Sequence, residues 1–218
     1  MGCTFSKRNL KDEEITLIVA EESLKYYQHT CKELDFIHRK YSFCGKINPL
    51  QFTEISAKLG LPAAYLKKNS TLKAFYNQFL ENEAYSLEKI LILTTLTGKG
   101  HTLEKAKLLF EIKDKLSCRK LKKEFIEHLV DTLIDISVNI LPSLYYKMEF
   151  CEEDEITRYI KRIKAALPDA IPELVSLFLN GNKDEISIED FIDNFRDTKI
   201  LNASNIRSFV FEYAPKNA

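Results

Sequence analysis

Gly2 and Cys3 carry the most definite chemistry in this chain. In the opening Met-Gly-Cys-Thr-Phe-Ser-Lys-Arg, removal of Met1 bares the amine of Gly2. Ser6 completes the Met-Gly-x-x-x-Ser/Thr pattern of N-myristoylation. One myristoyl chain, at ~0.8 kcal/mol per buried CH2, binds a membrane reversibly, and stable anchoring takes a second signal. The thiol of Cys3, directly beside Gly2, is placed to accept a palmitoyl chain. Lys7, Arg8 and Lys11 add positive charge for anionic headgroups before Asp12, Glu13 and Glu14 reverse the sign. These residues predict dual acylation on the cytosolic face of a cellular membrane, plasma or ciliary.

Oxygen-bearing side chains offer a second chemistry. Asn180, Asn182, Asp184 and Asp190 alternate as ligands of a hard cation do. Calcium takes six to eight oxygens, and a calcium loop of about twelve residues places them at positions 1, 3, 5, 7, 9 and 12. The four residues are offset by one from the apolar frame of Leu179–Asp190, in which Lys183 stands at the fifth position. One reading is a compressed calcium site. The other is a polar turn around Gly181 with Asp190 at a helix start. Asp114 heads a similar segment, but Leu116, Cys118 and Phe125 stand where ligands belong, and Arg119, Lys120, Lys122 and Lys123 repel a cation. Lys40–Gln51 contains no carboxylate. The expectation is no metal and no cofactor.

Nucleophile and phosphate motifs are missing as well. There is no G-x-S-x-G, P-loop or H-E-x-x-H, and Gly98-Lys-Gly100 lacks the rest of a phosphate cradle. His29, His38, His101 and His128 are isolated in sequence, and each reads as a surface or helix-face residue. His38 and Cys44 have no third residue to orient them. The chain is expected not to be an enzyme.

The elements that must position these residues read as helices. Apolar residues recur three and four apart through Leu103–Leu116 and Glu124–Leu141. Gly and Pro number only 6 each, too few for a turn-rich sandwich or barrel. Leu129–Tyr146, the most apolar long stretch, carries Asp131 and Asp135 and reads as a buried helix. Lys+Arg and Asp+Glu are both 32, so the chain lacks the basic excess of a general nucleic-acid binder. Five cysteines without a CxxC pair suit a reducing compartment.

Four stretches follow one plan: an entering helix, a loop and an exiting helix, with an apolar residue at loop position 8. The first loop is Lys40–Gln51, preceded by Phe36, with Gly45 at position 6 and Ile47 at 8, then Phe52, Ile55 and Leu59. The second lies near Gln78–Lys89, with Tyr85 at 8 and a shortened loop. Asp114–Phe125 is the third, with Leu109 and Phe110 before it and Leu121 at 8. The fourth is Leu179–Asp190, with Ile186 at 8 and Phe191 after it.

This pattern resembles the EF-hand superfamily, and within it the neuronal calcium sensor (recoverin-like) and calcineurin B-type proteins. They also begin with a myristoylated Met-Gly and carry four hands. The resemblance implies an all-α fold of two lobes: an acylated anchor over 1–20, an N-terminal lobe over 21–99 and a C-terminal lobe over 100–218. The step from Asp114 to Leu179 is longer than the family pattern and implies an inserted helix near Glu155–Leu167. In that segment Ile156, Tyr159, Ile160 and Ile163 form a stripe flanked by basic residues, either packed on the C-terminal lobe or free for a membrane or partner.

By this resemblance the chain is expected to be a lipid-anchored adaptor, largely or wholly calcium-independent, that holds a protein partner by accepting an amphipathic helix in an apolar groove. A calcium sensor using the fourth loop, or a distorted second one, is one alternative. A structural component of a membrane-associated cytoskeletal or ciliary assembly is another.

Overall fold

The computed structural model describes residues 11–61, 71–146, 155–181, 184–196 and 200–215. Gly2 and Cys3 lie outside the described residues, as do Asn182 and Lys183. The chain is mainly helical, with five short strands among the described residues. It divides into two compact units, Met1–Lys99 with Ile140–Cys151, and Gly100–Asn139 with Glu152–Ala218.

The first unit contains α1 (Asp12–Glu22), α2 (Cys31–Lys40), β1 (Lys46–Ile47), α3 (Pro49–Lys58), α4 (Thr71–Tyr76), β2 (Leu80–Glu81), β3 (Ala84–Ser86) and α5 (Leu87–Thr97). Helix α2 starts where the Thr30 hydroxyl accepts the Glu33 N–H, a standard N-cap. Its buried face is Cys31, Leu34 and His38. Phe36, the apolar residue before the first loop, points outward and is 65% exposed. Phe52, Tyr76 and Tyr85 form the aromatic centre, with Phe52 ring centroids 4.8 Å from Tyr76 and 4.6 Å from Tyr85. Thr94 and Thr95, polar residues on the buried α5, both donate their hydroxyls to the Leu91 carbonyl. Satisfied within their own helix, they cost the core little.

Gly98 ends α5 where no side chain fits. A Cβ there would lie 2.7 Å from Leu34 Cδ1. That approach lets Lys99 pair with the start of α2, its N–H reaching the His29 carbonyl at 2.8 Å and its carbonyl accepting from Cys31 at 2.6 Å.

A later segment completes this unit. Helix α8 (Ser143–Tyr146) packs on α1 and α4, with Leu141 and Leu144 buried and Gln78 Nε2 donating to Ser143 Oγ at 3.0 Å. The helix expected over Leu129–Tyr146 is therefore not one helix. Residues Asp135–Ile140 widen into a π-helical segment, and the turn at Leu141–Pro142 separates it from α8.

The second unit contains α6 (Thr102–Lys113), β4 (Lys120–Lys122), α7 (Lys123–Ile134), α9 (Glu155–Phe178), β5 (Glu185–Ser187), α10 (Ile188–Asp193) and α11 (Ala203–Glu212). Phe110, Phe178, Phe191 and Phe195 stack edge-on or tilted at its centre, with centroids 4.9–5.7 Å apart. The inserted helix is not a separate element. Helix α9 runs unbroken from Glu155 to Phe178 through Pro168 and Pro172, both on its exposed face. There the carbonyls that lose their N–H partners can be hydrated. The Ile156, Tyr159, Ile160 and Ile163 stripe is buried, and α9 packs on α7 and α11. Arg207 of α11 is fully buried and donates from Nη1 to the Ser137 carbonyl at 3.0 Å, in the π-helical segment.

Candidate functional site

The four loops are where the sequence places its chemistry, and each unit holds two of them joined by strands. Ile47 pairs with Tyr85 between antiparallel β1 and β3, and Leu121 pairs with Ile186 between β4 and β5. All four side chains are buried. Further backbone bonds extend both ladders: Leu87 N–H to Gly45, Lys123 to Asp184 and Ile188 to Arg119.

The first loop closes on itself. Phe43 and Lys46 exchange backbone hydrogen bonds of 2.8 and 3.0 Å around Cys44 and Gly45, whose φ angles are 47° and 73°. Two left-handed central residues define a tight hairpin turn of the I′ kind, and this is the use of Gly45. Asn48 and Gln51 then form a capping box at the start of α3. Asn48 Oδ1 accepts the Gln51 N–H at 2.9 Å and Gln51 Oε1 accepts the Asn48 N–H at 2.8 Å. The side chain at loop position 12 is thus held by the backbone. The pattern Asn-x-x-Gln before an apolar run was its sequence signal.

The second loop has the same turn. Asn82 and Glu83, with φ of 53° and 65°, join β2 to β3. The entering helix continues as a 3-10 turn through Phe79, which shortens the loop from Gln78 onward.

The third loop is organised by Asp114, in a way the ligand pattern did not indicate. Its Oδ1 accepts the Cys118 N–H and its Oδ2 the Arg119 N–H, both at 2.8 Å. These bonds hold a turn in which Ser117 and Arg119 have positive φ. Two of the loop's basic residues also have local partners. Arg119 bonds Glu189, and Lys120 lies 2.7 Å from Glu185. The hydrogen bond between the latter pair lowers the Glu185 pKa and raises that of Lys120. Both groups are exposed, so water screens the pair and its value to stability is small.

The oxygen-bearing residues of the fourth loop divide between two structural tasks. Asn180, with φ of 51°, ends α9: its N–H bonds the Leu177 carbonyl while that of Gly181 bonds Ser176. That pair of bonds is a Schellman cap, for which Asn is a common alternative to Gly. Asp184 contributes its backbone carbonyl to the ladder. Asp190 sits in the first turn of α10, its N–H bonded to the Ser187 hydroxyl at 3.2 Å. Among the described residues no cluster of three His, Cys, Asp or Glu side chains is arranged to hold a metal ion.

The histidines are dispersed. His38, read as a surface or helix-face residue, is fully buried. Nδ1 lies 2.7 Å from the Leu34 carbonyl, and desolvation lowers its pKa to about 4. His29 bonds the Leu59 carbonyl and His128 lies 2.5 Å from Lys113 Nζ. An open cleft of about 400 Å³ lies in the second unit between the ends of α9, α10 and α11, bordered by Glu173, Leu177, Asn194, Phe209 and Tyr213. Among the described residues, no helix is long and apolar enough to cross a membrane.

No family model, curated protein or solved structure matches the chain.

Proposed function

We propose that this chain is a membrane-anchored adaptor of two EF-hand-like lobes, acylated at Gly2 and Cys3, that holds a protein partner without using calcium. The observation that carries the calcium-independent part is the use of Asp114. Both its oxygens accept backbone N–H groups of its own loop, so the carboxylate best placed for a cation already serves the fold. The buried pairs Ile47–Tyr85 and Leu121–Ile186 support the two-hand lobes. The acyl anchor rests on the Met-Gly-Cys-Thr-Phe-Ser sequence. Helix α11 already covers part of α7 and α9, so a partner helix in the second unit would bind beside α11 or displace it. No catalytic role is part of the proposal.

The test joins calorimetry to cell fractionation. The full chain should be helical and melt cooperatively in chelator, and show no saturable calcium binding below ~100 μM, the weak end of EF-hand sites. Gly2→Ala should release it from the membrane fraction. A micromolar site abolished by Asp184→Ala would replace the adaptor by a calcium sensor, and a G2A protein still wholly membrane-bound would remove the anchor.

A further inference from the structure

We infer that the first loop is itself a lipid-contacting element, docking the first unit onto bilayers that carry anionic headgroups. Phe43 is 75% exposed at the edge of the two-residue turn, and Leu50 is 77% exposed in the first turn of α3. Phe36, 65% exposed on α2, precedes them. The tight turn and the capped start of α3 thus hold Phe43 and Leu50, two large apolar side chains of one loop, in water.

The charges around them indicate which surface they meet. Between Phe36 and Thr53 every charged side chain is cationic: Arg39, Lys40 and Lys46, with His38 buried and neutral; the exposed Glu54 follows one turn after Leu50 on α3. Arg39 is held by Asp35 at 2.9 Å. Lys40 and Lys46 are exposed, and neither has an ion pair among the described residues. An exposed phenylalanine and leucine with two unpaired lysines between and beside them suit the boundary of a bilayer. There the rings and alkyl chains enter the acyl region while the ammonium groups reach the headgroups.

The third loop provides an internal contrast. Leu116 is 85% exposed there, yet Arg119 and Lys120 are neutralised by Glu189 and Glu185. Exposure alone is thus shared by both loops; two cations of the third loop are offset by carboxylates, leaving Lys122 exposed beside them, whereas the first loop keeps both Lys40 and Lys46 without an ion pair among the described residues.

The inference deepens the membrane reading but needs no acyl chain, so the two can fail separately. The full-length, unacylated chain is mixed with vesicles of phosphatidylcholine alone or of equimolar phosphatidylcholine and phosphatidylserine. Binding is expected to the mixed vesicles only. Replacing Lys40 and Lys46 together by Gln should weaken it roughly thirtyfold, from ~1 kcal/mol per charge near an anionic surface. Phe43→Ser should weaken it roughly tenfold, and Leu116→Ser should leave it unchanged. The chain has no tryptophan, so F43W adds a single indole whose emission should shift to the blue with mixed vesicles. That readout serves even if Phe43→Ser fails to fold. Binding indifferent to phosphatidylserine, or an F43W indole left in water by the mixed vesicles, overturns the inference. So does an indole shielded by a protein but by no vesicle.

Discussion

Leu121 faces Ile186 across the β4–β5 pair, both side chains almost fully buried although the strands are three residues each. So short a ladder supplies few hydrogen bonds, and the pair's packing must hold the two loops together. Leu121→Ala is expected to cost ~2–5 kcal/mol in urea melts. Combined with Ile186→Ala in a double-mutant cycle, it should show a coupling of ~0.5–3 kcal/mol. Additive effects of the two substitutions would mean that the strands are carried by the helices instead.

Asp114 and Phe110 should separate loop from core. Phe110 is fully buried against Phe191, and Phe110→Ala is expected to cost ~3–5 kcal/mol. Asp114→Ala removes two hydrogen bonds at a half-exposed carboxylate, which predicts a loss on the order of 1 kcal/mol, equal in chelator and in calcium. Asp114→Asn should recover only part of it, since an amide offers one acceptor oxygen. A loss that appears only when calcium is present would contradict this account.

His38 makes stability depend on pH. Burial holds its folded pKa at about 4, below the ordinary 6.5. Between these values the unfolded chain binds more protons, so stability rises with pH. The contribution is complete above pH 6.5 and is lost as pH falls toward 4, by at most about 3 kcal/mol. His38→Phe keeps a ring in the site and should flatten this part of the stability profile. An unchanged slope in H38F would assign the dependence to other groups.

The two expected acyl chains should have unequal effects. Gly2→Ala should remove both chains, because palmitoylation of Cys3 follows membrane contact, and leave at most the weak, exchanging contact of the first loop. Cys3→Ser should leave weak, exchanging association through one chain. Photobleaching recovery in cells distinguishes them: fast exchange for C3S, largely diffuse signal for G2A. A C3S protein that recovers as slowly as the unmodified one would exclude the second chain.

Helical class was legible because apolar residues repeat three and four apart in α6 and α7. Ile47, Tyr85, Leu121 and Ile186 were legible for another reason: each is the apolar residue shortly before a predicted exiting helix. Where the reading failed, residue type was a poor guide to direction. Phe36 was named as the apolar residue before the first loop, but the buried face of α2 passes through His38, whose Nδ1 is satisfied by the Leu34 carbonyl. The apolar run from Leu129 to Tyr146 hid the break at Pro142. In α9 the opposite occurred, since two prolines that commonly end helices lie on a hydrated face. Lys40–Gln51 was read for its apolar frame and its lack of carboxylates, and the Asn48–Gln51 spacing, that of a capping box, went unread. Nothing in the sequence marks Arg207 as buried.

Helix α8 closes the first unit, yet α6 and α7 of the second precede it in the chain. On the ribosome, the surfaces of α1 and α4 that α8 covers therefore stay bare after Lys99 has emerged, until the chain has been made through Tyr146. A fragment cut at Lys99 would carry the same bare surfaces permanently. Chaperone capture during synthesis, and aggregation of such a fragment, are the natural results of a unit whose last helix arrives late.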